Sequence, residues 1–307
     1  MKKHRTNAFL QLLVLTALGA AVVLTLAWPQ LPFARQEEPV EVSVILRQAD
    51  ASLWANARLG MEQAAGQLRA EVRFITPTAD NDPGEQARLM RYEAERGADV
   101  LVVDPAGRAP ADLNTPVVLL DSAGKDAAVS PDNAALGSAL AEAALADRPA
   151  GEVLLVRTGA GQGVSERAAA AREALEAAGV QVAETTLSPS GDGAQLEAAL
   201  GGTRAAAVLL FEPSATEAAA AAKEKLDLSP ALYGVGSTGP IAAALERGTL
   251  AASGVWSDFA AGYLAVEGAV RTARGEDWQP QPLDFFILRG EDIYEPDNQK
   301  LLFPVAS

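Results

Sequence analysis

Two short β-branched runs, Val100–Val103 and Val117–Leu120, each stop abruptly at an aspartate, Asp104 and Asp121. A continuous apolar run of this length, with helix-like sequence before it and turn residues after it, reads as a strand buried on both faces of a parallel sheet. The two carboxylates then stand at strand C-termini. In open α/β sheets the crevice outside those ends, at the point where strand order reverses, is where ligands bind. A chain built this way is suited to holding a small polar molecule.

The same alternation runs through the 307 residues. Strands are expected at 42–46 and 72–75, with an amphipathic helix at 53–68 between them and another at 83–95. Pro83 opens that second helix and Gly97 follows its end, the asymmetry helices favour. Asp132 and Asn133 offer N-cap chemistry to a helix reaching 146. From 149–151 the pattern restarts, with strands at 153–156, 180–185, 206–210, 232–235 and 251–255, helices between them, a long helix at 258–273 and a last extended segment at 283–288. Two consecutive βαβαβ runs each suffice for a parallel sheet with helices on both faces. The expected fold is therefore α/β: two doubly wound, Rossmann-like lobes joined by a three-crossover hinge. The lobes are expected to comprise residues 37–148 with 257–282, and 149–256 with 283–307, with crossovers near 147–151, 255–258 and 281–284.

Ahead of the lobes, KKHR at 2–5 precedes an apolar stretch at 8–28, long enough at about 20 residues to span a bilayer. Residues 1–36 are read as a basic cytoplasmic tip, a single-pass transmembrane anchor and a Pro- and Glu-containing tether, which leaves the lobes extracytoplasmic. A cleaved signal with small-residue sites near 32–34 is the alternative.

Composition narrows the chemistry. There is no cysteine, and the one histidine, His4, lies in the basic tip, so the lobes have neither a thiol nucleophile nor the usual general base or zinc ligand. No catalytic residue, metal or cofactor is expected. The net charge of -15 disfavours nucleic acid as a partner. The run GAGQG, Gly159 to Gly163, lies between a strand and a helix but lacks the third glycine of a dinucleotide loop, and reads as an ordinary turn.

The double unit and its residues resemble the type I periplasmic solute-binding proteins, in the ribose- and galactose-binding branch that serves sugar ABC transporters. VSVILRQADASLW supplies Asp50 and Trp54 where the family has a polar turn and a stacking aromatic. VLVVDP, TPVVLLDSAG and SPDNAALG follow in the family's order, giving Asp104, Asp121, Asp132 and Asn133. GVSERAAAAREAL matches the family's arginine with Arg167, and GTLAASGVWSDFAAGYLAVEGAV places Trp256 at a ligand-facing position. The chain departs from the pattern at LLFEPSA, where Glu212 and Pro213 replace an Asn-Asp pair, and at YGVGST, where Gly236 and Ser237 replace the usual aspartate-ended strand.

The resemblance implies a ligand site of Asp50, Trp54, Asp104, Asp121, Arg167, Glu212, Ser237 and Trp256. Carboxylates accept hydroxyls, a guanidinium donates in a fork, and an indole covers a sugar's C–H face. If the arginine instead neutralises an acid, the remaining carboxylates and indoles suit a cation. Plainer roles stay open: Asp104 and Asp121 as turn caps, the tryptophans as packing, Arg167 as a helix-surface residue paired with Glu166 or Glu173. The implied function is capture of a small solute, a saccharide, for an ABC permease. The rival is a sensor or accessory ectodomain read by a membrane partner such as a histidine kinase.

Overall fold

In the computed structural model the described residues are 13–23, 38–122, 128–157, 161–187 and 193–303. The chain divides after Pro39 into two compact units. In the first, residues 13–23 are helical and expose Leu13, Val14, Leu15, Leu18, Val22 and Val23. The rest of the expected anchor, together with the basic tip and most of the tether, lies outside the described residues. No helix among the described residues is long and apolar enough to cross a membrane.

The second unit contains two sheets. The first has the order β2-β1-β3-β4-β5, formed by β1 (Val40–Ile45), β2 (Ala70–Ile75), β3 (Val100–Val103), β4 (Val117–Leu120) and the two-residue β5 (Ala128–Val129). All its pairings are parallel. The second has the order β11-β10-β9-β8-β6-β7. It is built from β6 (Val153–Arg157), β7 (Val182–Thr186), β8 (Ala207–Leu210), β9 (Ala231–Val235), β10 (Ala252–Trp256) and β11 (Phe285–Leu288), which alone runs antiparallel. Strand order reverses beside β1 in the first sheet and beside β6 in the second, so each lobe has a switch point of the kind that hosts ligands.

Helices cover the sheets. α1 (Ala55–Leu68) and α2 (Pro83–Glu95) belong to the first lobe, and α4 (Gln162–Ala177), α5 (Gly193–Gly202), α6 (Pro213–Leu226) and α7 (Gly239–Glu246) to the second. Two helices cross over. α8 (Asp258–Ala273) follows a second-sheet strand yet packs on α1, its Ala261, Ala265, Val266 and Ala269 sharing a core with Val42, Val44 and Met61. α3 (Asn133–Ala146) follows a first-sheet strand yet packs on α4, with Leu136, Leu140 and Ala144 against Val153, Leu155 and Val164. A short helix, α9 (Pro296–Leu302), closes the described chain beside the second lobe.

The position of α3 corrects the expected lobe boundary. Residues 37–148 do not form one lobe, because α3 puts its buried face on the second sheet; the chain crosses at 130–133 rather than at 147–151. There the Leu283 N–H donates to the Ser130 carbonyl at 3.0 Å, and Pro131 pairs with Leu283 in an isolated parallel bridge. The remaining crossing follows Trp256 at the start of α8. The side chain of Asp132 accepts from the Ala135 N–H and so caps α3 as its first turn leaves the hinge.

Candidate functional site

The ends of β1, β3 and β4 face the second lobe. β1 stops at Ile45, and two residues later Arg47 turns inward with only 3% of its surface exposed. Its Nε lies 3.1 Å from Asp104 Oδ1 and 3.0 Å from Oδ2. Its Nη1 donates to Asn81 Oδ1 at 2.9 Å and to Glu212 Oε2 at 2.8 Å. Asp104, just past β3, is held in place by Gln86, whose side chain donates to the Asp104 carbonyl and accepts from the Ala106 N–H, both at 2.7 Å. Glu212 follows β8 of the other lobe and is buried. The Arg47–Glu212 pair therefore joins the two lobes.

A second pair joins them in the opposite sense. Arg167, on α4 of the second lobe, is fully buried, and its Nη1 and Nη2 grip Asp121 Oδ1 and Oδ2 at 2.6 and 2.8 Å. The rest of its fork donates to Asn133 Oδ1 and to the Phe211 carbonyl, and the guanidinium lies over the Trp256 ring at 5.7 Å. This is the planar, bidentate recognition for which arginine is suited and lysine is not. Asp121 adopts a positive φ of 42°, a left-handed conformation that aspartate tolerates better than most residues, as β4 turns toward the cleft. Gln48 to Ser214 at 2.7 Å and Ser122 to Gln162 at 3.0 Å add neutral links across the gap. The Ser237 hydroxyl reaches Asp258 at the head of α8.

Between these links lies a cavity of about 50 Å³, walled by Trp54, Asp104, Asp121, Pro213, Trp256 and Asp258 among others. Small-molecule pockets usually measure about 300–1,000 Å³, so the cleft is nearly filled by the protein's own side chains. Of the expected site residues, Trp54, Asp104, Asp121 and Trp256 share the cavity wall. Arg167 and Glu212 stand directly behind it through their ion pairs, and Ser237 meets it through Asp258. Asp50 is elsewhere: it is exposed and caps the short helical turn Ala51–Trp54 by accepting from Ser52. Among the described residues no group of His, Cys, Asp or Glu is arranged to hold a metal ion.

Sequence reasoning overlooked Arg47, Asn81 and Asp258. A signal for Arg47 existed: it is the first charged residue past a buried strand, in the same relation to β1 that Asp104 has to β3.

Burial pushes the Asp104 carboxyl up to about 6, against the pull of Arg47. Burial likewise raises Asp258 to about 6, opposed by the Ser237 hydrogen bond. The carboxylates of Asp104 and Glu212 hold the Arg47 guanidinium above its ordinary range although burial acts against it. A carboxyl raised in the folded state takes up a proton on folding between its unfolded and folded pKa values. Its contribution to stability is therefore full below about pH 4 and lost as pH rises through about 6. Asp258→Asn is expected to stabilise the protein at pH 7.5 by up to about 3 kcal/mol, from about two units at ~1.4 kcal/mol each, and by less at pH 5. Urea unfolding at the two pH values checks this.

Two lobes joined by three crossings, with a polar and aromatic cleft between strand C-termini, define a solute-binding architecture. Residues 42–277 match the family model described as a periplasmic binding protein domain, and the chain belongs to that family. It is a binding protein and not an enzyme. No curated protein sequence matches it significantly. Solved structures share the fold. A carbohydrate transporter solute-binding protein from Agrobacterium radiobacter, in complex with D-arabinose, is 14% identical with a TM-score of 0.75, over 87% of this chain and 100% of that one. An ABC transporter solute-binding protein from Agrobacterium vitis with bound D-fucose is 18% identical with a TM-score of 0.76, over 86% and 100%. A chain of the XylFII-LytSN complex is 17% identical with a TM-score of 0.71, over 84% and 100%.

Proposed function

We propose that this protein is an extracytoplasmic solute-binding protein, tethered to the membrane by its N-terminal segment, that captures a neutral sugar between its lobes for delivery to an ABC permease. One observation carries this reading: Trp54, Asp104 and Asp121 of the first lobe and Trp256, the last residue of β10 in the second, line one cavity outside the strand C-termini. Carboxylates that accept vicinal hydroxyls and indoles that cover C–H faces are what a monosaccharide requires. The D-arabinose and D-fucose held by neighbours of the same fold point to the same class. The exposed Leu and Val side chains of helix 13–23 support the tether.

The test is a thermal-shift screen of the full chain against monosaccharides, inositols, nucleosides, amino acids and polyamines. A ligand at a hundredfold excess over Kd stabilises the native state by about 2.7 kcal/mol, a readily visible shift. The expected hit is a neutral sugar, with the shift lost in Trp54→Ala. Stabilisation by amino acids or nucleosides alone would reassign the substrate class.

A second reading, a sensor ectodomain read by a membrane partner, is favoured by the filled cleft, since Arg47–Glu212 and Arg167–Asp121 already link the lobes. The presence of this fold in the XylFII-LytSN complex is in keeping with it. Silence across the whole screen, from a folded sample, would move the assignment to this reading.

A further inference from the structure

Arg47 lines the small interlobe cavity. Its guanidinium is buried between Asp104 and Asn81 on the first lobe and Glu212 on the second, each within hydrogen-bond distance. In a two-lobed binding protein a solute does this same work: it supplies donors to both lobes at once and thereby favours the closed state. We infer that Arg47 is a built-in occupant of the cleft, standing where a solute would stand between Asp104 and Glu212, so that the lobes close without a ligand and a solute binds by displacing it. The inference rests on the solute-binding reading above and adds a competitor to it.

Three features support this assignment. Arg47 is contributed by the turn after β1, beside the first lobe's switch point, where ligands of this architecture sit. The neighbouring Gln48 crosses to Ser214 in parallel, so the turn as a whole leans onto the second lobe. The Arg167–Asp121 pair runs the other way, with the arginine on the second lobe, so each lobe offers the other a guanidinium. The chemistry of the displaced group also defines what can replace it. A newcomer placed between two carboxylates must be rich in donors, which favours polyols and amines and disfavours phosphorylated or carboxylated sugars, whose anionic group only accepts and meets like charge.

The chain contains no cysteine, so a single pair of labels can be introduced cleanly. Arg88 on α2 and Ala221 on α6 are exposed and lie on opposite lobes. Spin labels on Arg88→Cys and Ala221→Cys in the full chain, read by pulsed electron resonance without any solute, report the interlobe distance. One narrow, short distance is expected in this parent. Arg47→Ala should shift it to a longer and broader distribution, and millimolar methylguanidinium should restore the short one by refilling the vacated position. Glu212→Gln, which keeps the side-chain volume, should also lengthen it, which guards against a general folding defect in the alanine variant. A broad, long distribution in the parent, or an unchanged narrow one in both variants, would overturn the inference. Because no solute is present, these distances judge the role of Arg47 alone; failure of the solute-binding reading would show as absent binding in the ligand screen.

Discussion

Arg167→Ala is expected to cost about 3–5 kcal/mol of folding stability, the range for breaking a buried ion pair by removing one partner. Arg167 is the largest fully buried side chain of the described residues, and every arm of its guanidinium is engaged. Alanine would leave the Phe211 carbonyl and Asn133 Oδ1 without this donor inside the second lobe, and Asp121 without its counter-ion across the cleft. The two losses differ in kind. Asp121 can regain water if the lobes part, whereas Phe211 and Asn133 belong to the packed interior between α3, α4 and β8. Stability should therefore fall by urea denaturation while the urea dependence of unfolding stays near that of the parent. Asp121→Asn should cost less, because the carboxamide keeps an acceptor for one arm of the fork. If Arg167→Ala unfolds at the parent's urea midpoint, the ion pair with Asp121 and the bonds to Asn133 and Phe211 contribute nothing net to stability.

Gly262→Ala is expected to destabilise by about 2–3 kcal/mol, although helix propensity alone predicts a gain of about 1 kcal/mol. The reason lies where α1 and α8 cross. A Cβ at Gly262 would lie 1.9 Å from the Ala57 carbonyl oxygen, and one at Gly60 would lie 1.9 Å from that of Phe259. Neither backbone can yield without separating the helices, and with them the core formed by Met61, Ala65, Ala265 and Val266. Gly66, on the exposed side of the same α1, supplies the control, since a Cβ there meets nothing within 4 Å. Gly66→Ala should raise stability by up to about 1 kcal/mol. Opposite signs for the two substitutions, measured by chemical denaturation, would establish that backbone contact and not propensity governs this crossing.

Strand and helix alternation was legible because both signals are local: β-branched runs for buried strands and capped amphipathic segments for helices. Asp104 and Asp121 could be placed at the crevice for the same reason, since a charged residue that ends a buried run must emerge at the sheet's edge. The lobe to which α3 belongs was not legible. Its leucines and alanines are equally compatible with either sheet, and only the hinge at 130–133 decides between them. Asp50 illustrates a different limit. A polar residue in the turn before Trp54 can face the ligand or cap the turn, and here its carboxylate bonds to Ser52. Arg47 was passed over because an arginine in a turn is ordinarily solvated. Its burial depends on Glu212, 165 residues away, a partner that no local pattern reveals.

The departure at Glu212 and Pro213 acquires a physical meaning from this pairing. Where a carboxylate replaces the neutral end of an Asn-Asp pair, a compensating cation is needed if the group is to be buried, and Arg47 supplies it. The buried Glu212 carboxylate is thus offset by a cation of the chain's own, from the opposite lobe.

The most direct test of solute binding is isothermal titration of the full chain with neutral monosaccharides, D-arabinose and D-fucose among them, with their phosphorylated counterparts as controls. A saturable one-site heat with a neutral sugar, absent with the phosphorylated form and stronger in Arg47→Ala, is the result predicted. No saturable heat from any neutral sugar, in either the parent or Arg47→Ala, would contradict the account and leave the cleft as an interlobe joint rather than a binding site.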